Sequence, residues 1–306
     1  MTPVQFGWAM PSGLSEKEHP GRYLEVLRKG LEMVKGTYDS AWIIDHLQFD
    51  DRELMEGWTA LTYLAAQNPD LRFGHAVLCQ SFRNPALLAK MATTLQYFSG
   101  GRYILGLGAG WKEDEYVAYG YDFPPANVRV DQLDEYVQII KAMWTQERTT
   151  FEGRYYCVRE AYMVPKPDPL PTVMIGAMGP RMIDLAVRHA DWWNVSWTTV
   201  EDYRGMVEQA DRALERHGRD PRSMRRTWFG GCVCAPDEAG VKKQLGDQGP
   251  RPGGITGTAE QVKDTLRQFI GLGVDYFILG TPSMPDFTTL ETLLGDVVPT
   301  IQAETR

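Results

Sequence analysis

Short apolar stretches alternate with longer segments of helical periodicity along this chain. In the first pair, residues 4–10 are apolar and β-prone, and residues 22–35 place Tyr23, Val26 and Leu27 at helical spacing. The predicted strands cover residues 4–10, 40–44, 71–78, 102–107, 172–175, 192–196, 226–234 and 275–279. The predicted helices cover residues 22–35, 54–67, 85–98, 128–144, 181–189, 199–217, 258–271 and 288–301. Eight strands, each followed by a helix, predict an α/β fold, a (β/α)8 TIM barrel.

Residues 149–171 interrupt the alternation. Gly153 lies within a predicted small hairpin at residues 151–158, and Pro165, Pro167, Pro169 and Pro171 exclude a helix after it. We interpret this segment as an insertion after the fourth βα unit of a single domain that spans residues 1–306.

The fourth strand ends in a dense group of glycines, within residues 100–123. Glycine just past a strand allows a planar or anionic ligand to approach the main chain closely. Gly106, Gly108 and Gly110 are spaced as GxGxG, whereas a dinucleotide fingerprint is GxGxxG, and Trp111 stands where its third glycine would be. Since three βα units also precede the motif, a doubly wound dinucleotide-binding fold is the weaker alternative.

Charge and composition exclude several functions. The formal net charge is -8 and the sequence has no block of Lys or Arg, which argues against nucleic acid or an anionic membrane as a partner. No basic leader and no apolar run of membrane-spanning length is present, so we expect a cytoplasmic protein. Four cysteines without a histidine cluster predict neither a disulfide scaffold nor a metal site.

Active sites of barrels lie at the carboxyl ends of the strands, so the strand exits are the candidates for chemistry. His46, next to Asp45, is the one histidine that falls on a predicted exit, where it could donate a proton or a hydrogen bond; a purely structural histidine is the equal alternative. The turn 176–180 before a predicted helix could bind an anion, with Arg181 adding charge, and a plain βα turn is the alternative. The carboxylates at 113–115 could form a general acid site, but we interpret three adjacent charges on a loop as a solvated face.

Several ordered motifs resemble the luciferase-like monooxygenase superfamily, including deazaflavin-dependent enzymes related to methylene-tetrahydromethanopterin reductase. They are YDSAWIIDHL, RNPALLAKMATTLQYFSGGRYILGLGAGWKEDEY, VRVDQLDEYVQIIKAMW, FEGRYY and VMIGAMGPRMIDLAVRHADWWN, and they cover nearly the whole chain. The resemblance implies a barrel with an insertion and a cofactor, FMN or the deazaflavin coenzyme F-420 (F420), at the carboxyl ends of the strands.

The resemblance also implies roles for individual residues. Asp45 and His46 match a catalytic pair near the reacting ring, and Cys79-Gln80 falls where deazaflavin members carry a non-proline cis peptide that supports the ring. The segment that lines the cofactor would comprise Gly108, Ala109 and Gly110, and the turn that receives its phosphate would comprise Gly176, Ala177, Met178 and Gly179. We expect the substrate to contact Trp8, His46, Trp197 and the insertion.

Three functions follow from this resemblance. The favoured one is an oxidoreductase that transfers a hydride between F420 and a small organic substrate, because Asp-His follows the second strand where many FMN-dependent members have Glu-His. The alternatives are an FMN-dependent monooxygenase, which uses oxygen and a separate flavin reductase, and a non-catalytic flavin-binding protein. Gly110-Trp111 departs from the Gly-Glu-x-x-Asn form of sugar-phosphate dehydrogenases, which makes glucose 6-phosphate a doubtful substrate. A homodimer is expected.

Overall fold

The computed structural model describes residues 3–14, 19, 21–49 and 52–306, without the side chain of residue 248. The strands are β1 Gln5–Ala9, β2 Ser40–Ile43, β3 Arg72–His75, β4 Leu78–Cys79, β5 Tyr103–Gly108, β6 Arg148–Glu152, β7 Cys157–Tyr162, β8 Thr172–Gly176, β9 Trp192–Ser196, β10 Arg225–Ala235, β11 Ile255–Thr258 and β12 Tyr276–Gly280. The helices are α1 Tyr23–Val34, α2 Gly57–Gln67, α3 Pro85–Phe98, α4 Glu113–Ala118, α5 Ala126–Thr145, α6 Pro180–His189, α7 Val200–Arg216, α8 Glu238–Leu245, α9 Ala259–Gly271, α10 Thr288–Thr292 and α11 Val298–Glu304.

Parallel strands close into a barrel. The order β1-β2-β3-β5-β8-β9-β10-β12 returns to β1, and β4 continues the line of β3 by pairing with β5. This confirms the predicted (β/α)8 TIM barrel. The antiparallel hairpin β6–β7 lies between α5 and β8, within the segment that the sequence marks as an insertion.

Alternate strand residues build two cores, because successive side chains of a strand point to opposite faces. On β12, Tyr276 and Ile278 join a smaller cluster that also contains Trp42 and Met174, which fills the barrel interior. Phe277 belongs to the larger core between the strands and the surrounding helices. Trp42 is therefore a core residue of the barrel interior.

Several predicted boundaries were wrong for local reasons. The helix predicted from residue 54 begins at Gly57, because the Glu56 carboxylate accepts hydrogen bonds from the N–H groups of Trp58 and Thr59 and caps it. The segment 235–258 contains α8 and β11, which were not predicted, and the last predicted helix is interrupted by a π-helical segment at Leu293–Val297. Within the described residues, no helix combines the length and apolar character needed to cross a bilayer.

Candidate active site

His46 lies just beyond the carboxyl end of β2 and is held by a buried carboxylate. Its Nδ1 is 3.0 Å from Oε1 of Glu115, and the other oxygen of Glu115 accepts a hydrogen bond of 2.9 Å from the Leu47 N–H. The His46 side chain is 15% exposed and that of Glu115 is 4% exposed. The rings of Phe49 and Trp111 pack edge-on against the imidazole, with centres 5.1 and 5.7 Å away. With Glu115 ionised, Nδ1 donates the hydrogen bond, so Nε2 is the nitrogen left for chemistry.

Glu115 shows that part of the sequence interpretation was wrong. The carboxylates at 113–115 were expected on a solvated face, but they begin the short helix α4, and Glu115 is buried in it. Lys112, Glu115, Tyr116 and Tyr119 recur at helical spacing, and Tyr119 donates a hydrogen bond to the Leu47 carbonyl. That spacing was the signal that could have identified Glu115 as a residue of the site.

Asp45 does not take part in the contact between His46 and Glu115 and forms an ion pair with Arg83. The Arg83 guanidinium donates to both carboxylate oxygens, at 2.8 and 2.9 Å, and the Cys79 N–H donates to one of them at 2.9 Å. Burial works to lower the pKa of Arg83, but hydrogen bonds and charges from Asp45 and Glu56 outweigh it and raise that pKa. Asp45 thus ties the exit of β2 to β4 through Arg83 and Cys79.

Cys79 and Gln80 are buried behind the site. The Cys79 sulfur lies 2.8 Å from the hydroxyl of Tyr116, and burial raises the pKa of the Cys79 thiol to about 11. Gln80 is 1% exposed, and the oxygen of its side-chain amide accepts a hydrogen bond of 2.7 Å from the hydroxyl of Tyr156 in the hairpin. The two residues connect the end of β4 to α4 and to the hairpin.

The non-proline cis peptide was predicted at the wrong position. It joins Ala76 to Val77, whereas the sequence placed it at Cys79-Gln80. The predicted third strand is interrupted here: the Ala76 N–H still bonds to the Ile43 carbonyl of β2, and Leu78 then resumes pairing with β5. The cis peptide therefore falls three residues earlier than expected, in a break between β3 and β4 that was not predicted.

The glycines of the strand exits face protein atoms. A Cβ on Gly108 would lie 2.6 Å from the Val77 side chain, and a Cβ on Gly176 would lie 3.3 Å from it. Val77 therefore lies across the ends of β5 and β8. Gly110 has a positive φ of 74°, and a Cβ there would overlap the Tyr116 hydroxyl. Ala109, between these two glycines, is half-buried.

The turn at 176–179 leads into α6 with open space beside it. The Ala177 N–H bonds to the Asn194 carbonyl, and its own carbonyl accepts from the indole of Trp193. Met178 is exposed, and Gly179 caps the helix with nothing within 4 Å of a Cβ built on it. The N–H groups of the first helical turn lie outside the helix ladder and can bind an anion. Arg181 does not add its charge there, because it pairs with Asp131.

Two tryptophans expected at the substrate differ in position. Trp8 is fully buried, where its ring packs against Gly30 of α1 and its indole N–H bonds to Thr281, so it lies in the core rather than in the pocket. This expectation was wrong because the Trp8 side chain points outward from the barrel. Trp197 directly follows β9 and is half-buried at the carboxyl end of the barrel.

Comparison with known proteins identifies the class. The family model described as luciferase-like monooxygenase matches residues 4–251, so the chain belongs to this family. The predicted family, and with it the expectation of an enzyme, are thereby confirmed.

Individual relatives carry F420 in their names. The chain is 36% identical over 157 residues to the F420-dependent glucose-6-phosphate dehydrogenase of Kineococcus radiotolerans, covering 50% of this chain and 46% of that one. It is 33% identical over 223 residues to the enzyme of the same name from Microbacterium testaceum, covering 71% and 64%. The chain thus spans less than two thirds of either relative. A solved structure of an F420-dependent secondary alcohol dehydrogenase in complex with an F420–acetone adduct shares the fold, with a TM-score of 0.82, 20% identity and 100% coverage of both chains.

Proposed function

We propose that this enzyme transfers a hydride between F420 and a small organic substrate. The observation that carries this is the His46–Glu115 pair at the exit of β2, with the imidazole between Phe49 and Trp111. Relatives over half or more of this chain are named as F420-dependent dehydrogenases, which supports the choice of cofactor.

The residues at the strand exits fit a large planar cofactor with a phosphate. Val77 covers Gly108, and Tyr116 fills the space beside Gly110, so a ring at the ends of β5 and β8 would rest against Val77 and the half-buried Ala109. The open turn before α6, from Gly176 to Gly179, offers N–H groups and the positive end of a helix dipole to a phosphate. When bound, the deazaflavin supplies the ring carbon that accepts or donates the hydride.

His46 is the proposed catalytic acid and base. For oxidation of an alcohol, Nε2 of His46 accepts the hydroxyl proton as the hydride leaves the neighbouring carbon, and for reduction of a ketone it returns that proton. Glu115 accepts the Nδ1–H bond and stabilises the imidazolium that forms.

Asp45, Cys79 and Gln80 are proposed to support the site from behind. Asp45 fixes the main chain of the β2 exit through Arg83, so its part in catalysis is to position His46. Cys79 and Gln80 hold the end of β4 against α4 and the hairpin, and thereby shape the floor on which the cofactor ring would rest.

Titration of the purified protein with F420 and with FMN, followed by tryptophan fluorescence, tests the cofactor. Trp111 and Trp197 lie at the strand exits, so we expect saturable quenching by F420 at micromolar concentration and no saturation by FMN in the same range. Saturation by FMN alone would favour the monooxygenase, which would then need a separate flavin reductase. Substitution His46→Ala should abolish turnover and leave F420 binding intact. Full turnover in this variant would exclude His46 as the acid–base group, whereas a wild type that binds the cofactor and turns over no substrate would favour a non-catalytic flavin-binding protein.

We also propose that the enzyme is a cytoplasmic homodimer. The four cysteines are free thiols, which suits a reducing compartment. On α3, Leu87, Tyr97 and Phe98 are exposed apolar side chains, a surface that a second copy could cover. Sedimentation of wild type and of Phe98→Glu would test this, since the charge should shift a dimer to monomer.

A further inference from the structure

Two arginines from separate loops lie near the candidate site. Arg52 follows β2, and its guanidinium carbon is 4.9 Å from the centre of the Phe49 ring. Arg251 precedes β11, and its guanidinium carbon is 4.0 Å from the centre of the Trp197 ring. Because Phe49 packs against His46, Arg52 is separated from the imidazole by one aromatic ring.

Arg251 is held in place by its contact with Trp197. The Trp197 N–H bonds to the Phe229 carbonyl at 2.8 Å, and a Cβ on Gly231 would lie 2.6 Å from the indole ring. Gly253 packs so closely on the Trp197 carbonyl that it has no room for a side chain. The loop carrying Arg251 therefore rests on Trp197 at the carboxyl end of β9, the end of the barrel where His46 also lies.

The charges of these two arginines are not balanced by a carboxylate in the described part of the chain. Arg83, Arg188 and Arg225 each pair with an aspartate, but no ion pair joins Arg52 or Arg251 to a described acidic residue. Burial, and then the positive charge of Arg52, lower the pKa of Arg251, so the two guanidinium groups are close enough to repel. Two positive charges held close together repel each other, and an anion that binds to both relieves this repulsion.

We propose that Arg52 and Arg251 form a subsite for an anionic group of the substrate, a carboxylate or a phosphate. The guanidinium group matches the oxygens of either anion, and Phe49 and Trp197 hold the two guanidinium groups at the carboxyl end of the barrel. The substrate class is then a hydroxy or oxo acid, or a phosphate ester, whose reacting carbon lies at His46. This assignment of substrate rests on the proposed function, whereas anion binding itself does not.

Anion binding is tested without cofactor or turnover. Inorganic phosphate is titrated at constant ionic strength into wild type, Arg52→Gln, Arg251→Gln and the control Arg212→Gln, with tryptophan fluorescence as the readout. Arg212 is an exposed arginine of α7 outside the site. Wild type and the control should show the same saturable change, and each glutamine variant of the pair should raise the Kd about tenfold. No saturable change in wild type, or equal Kd values in all four proteins, would overturn the subsite.

A second experiment decides whether the two arginines bind an anionic group of the substrate or the phosphate of the cofactor. The Kd of F420 is measured in the same proteins, and phosphate is then titrated into the F420-saturated wild type. We expect an unchanged Kd for F420 in both variants and phosphate binding that persists with cofactor bound. An F420 affinity that falls in both variants, with phosphate excluded by F420, would assign the arginines to the cofactor and overturn the substrate proposal. Failure of F420 to bind at all would refute the proposed function and leave the phosphate result standing.

Discussion

At the scale of single residues, the site depends on how one imidazole is oriented. Glu115 holds Nδ1 of His46 at 3.0 Å and the Leu47 N–H at 2.9 Å, so one carboxylate fixes both the ring and the main chain beside it. Substitution Glu115→Gln keeps the size of the side chain and removes the charge. We expect kcat to fall by roughly tenfold or more, part of the 10²- to 10⁴-fold that general acid–base catalysis contributes, with an unchanged Kd for F420.

A double-mutant cycle separates this positioning role from a structural one. If Glu115 acts through His46, adding Glu115→Gln to the His46→Ala protein should change the residual rate very little. An equal loss in both backgrounds would show that Glu115 acts on the fold or on another group.

His75, unlike His46, is fully buried, and this has a consequence for stability. Burial, opposed by the charge of Asp45, lowers the pKa of His75 to about 4, and its ring stacks on Trp58. Because the folded pKa lies below the unfolded value of about 6.5, the unfolded state binds the proton first as the pH falls. The contribution of neutral His75 is complete above about pH 6.5 and is lost progressively as the pH falls toward 4.

Urea unfolding at pH 7 and pH 5 measures this contribution. Wild type should lose about 2 kcal/mol more than His75→Gln between these pH values, because glutamine does not titrate. A stability difference between the two proteins that is the same at both pH values would contradict the assignment.

At the scale of elements, the sequence predicted the barrel because each strand and helix carries its own periodicity. The predicted limits of α3 and β9 agree with the structure to the residue. The segments it missed are short and lack a full period: α4 has six residues, and β11 has four and pairs with β10 alone. Glu115 was missed for a different reason, because three adjacent charges were interpreted as a solvated face although Glu115 and Tyr116 mark one buried side of α4.

The close contact between Val77 and Gly108 depends on tertiary packing, so the spacing of residues along the sequence could not predict it. We expect Gly108→Ala to lower the free energy of unfolding by about 1–3 kcal/mol, because its methyl group would lie 2.6 Å from Val77. The double variant Val77→Ala/Gly108→Ala should recover part of this loss. The control Gly205→Ala, in α7 with nothing within 4 Å, should be neutral or stabilising by up to about 1 kcal/mol. Failure of Val77→Ala to relieve the loss would refute the packing explanation.

At the scale of the whole molecule, the two ends of the barrel differ in function: one contributes to stability and the other contains the candidate site. The amino-terminal end is closed by polar contacts around Tyr276, whose hydroxyl donates to Asp39 at 2.7 Å and also contacts Ser40. The guanidinium of Arg225 lies 5.0 Å from the ring of Trp192 at the same end. His46, Val77 and Trp197 lie at the opposite, carboxyl end, where barrels place their chemistry.

Stability and catalysis should therefore be separable by mutation. Tyr276→Phe removes a buried hydroxyl that contacts Ser40 and Asp39, while Ser40 keeps the hydrogen bond from the Trp42 indole and Asp39 keeps its contact with Arg72. We therefore expect the free energy of unfolding in urea to fall by about 1 kcal/mol, with an unchanged Kd for F420 and unchanged kcat. Tyr63→Phe, on the exposed surface of α2, is the matched control and should change neither quantity. His46→Ala should show the reverse pattern, with turnover lost and stability largely kept, because Glu115 retains the hydrogen bond from the Leu47 N–H. A fall in F420 affinity in Tyr276→Phe would mean that the interior column of Trp42, Met174 and Ile278 transmits packing changes from one end of the barrel to the other.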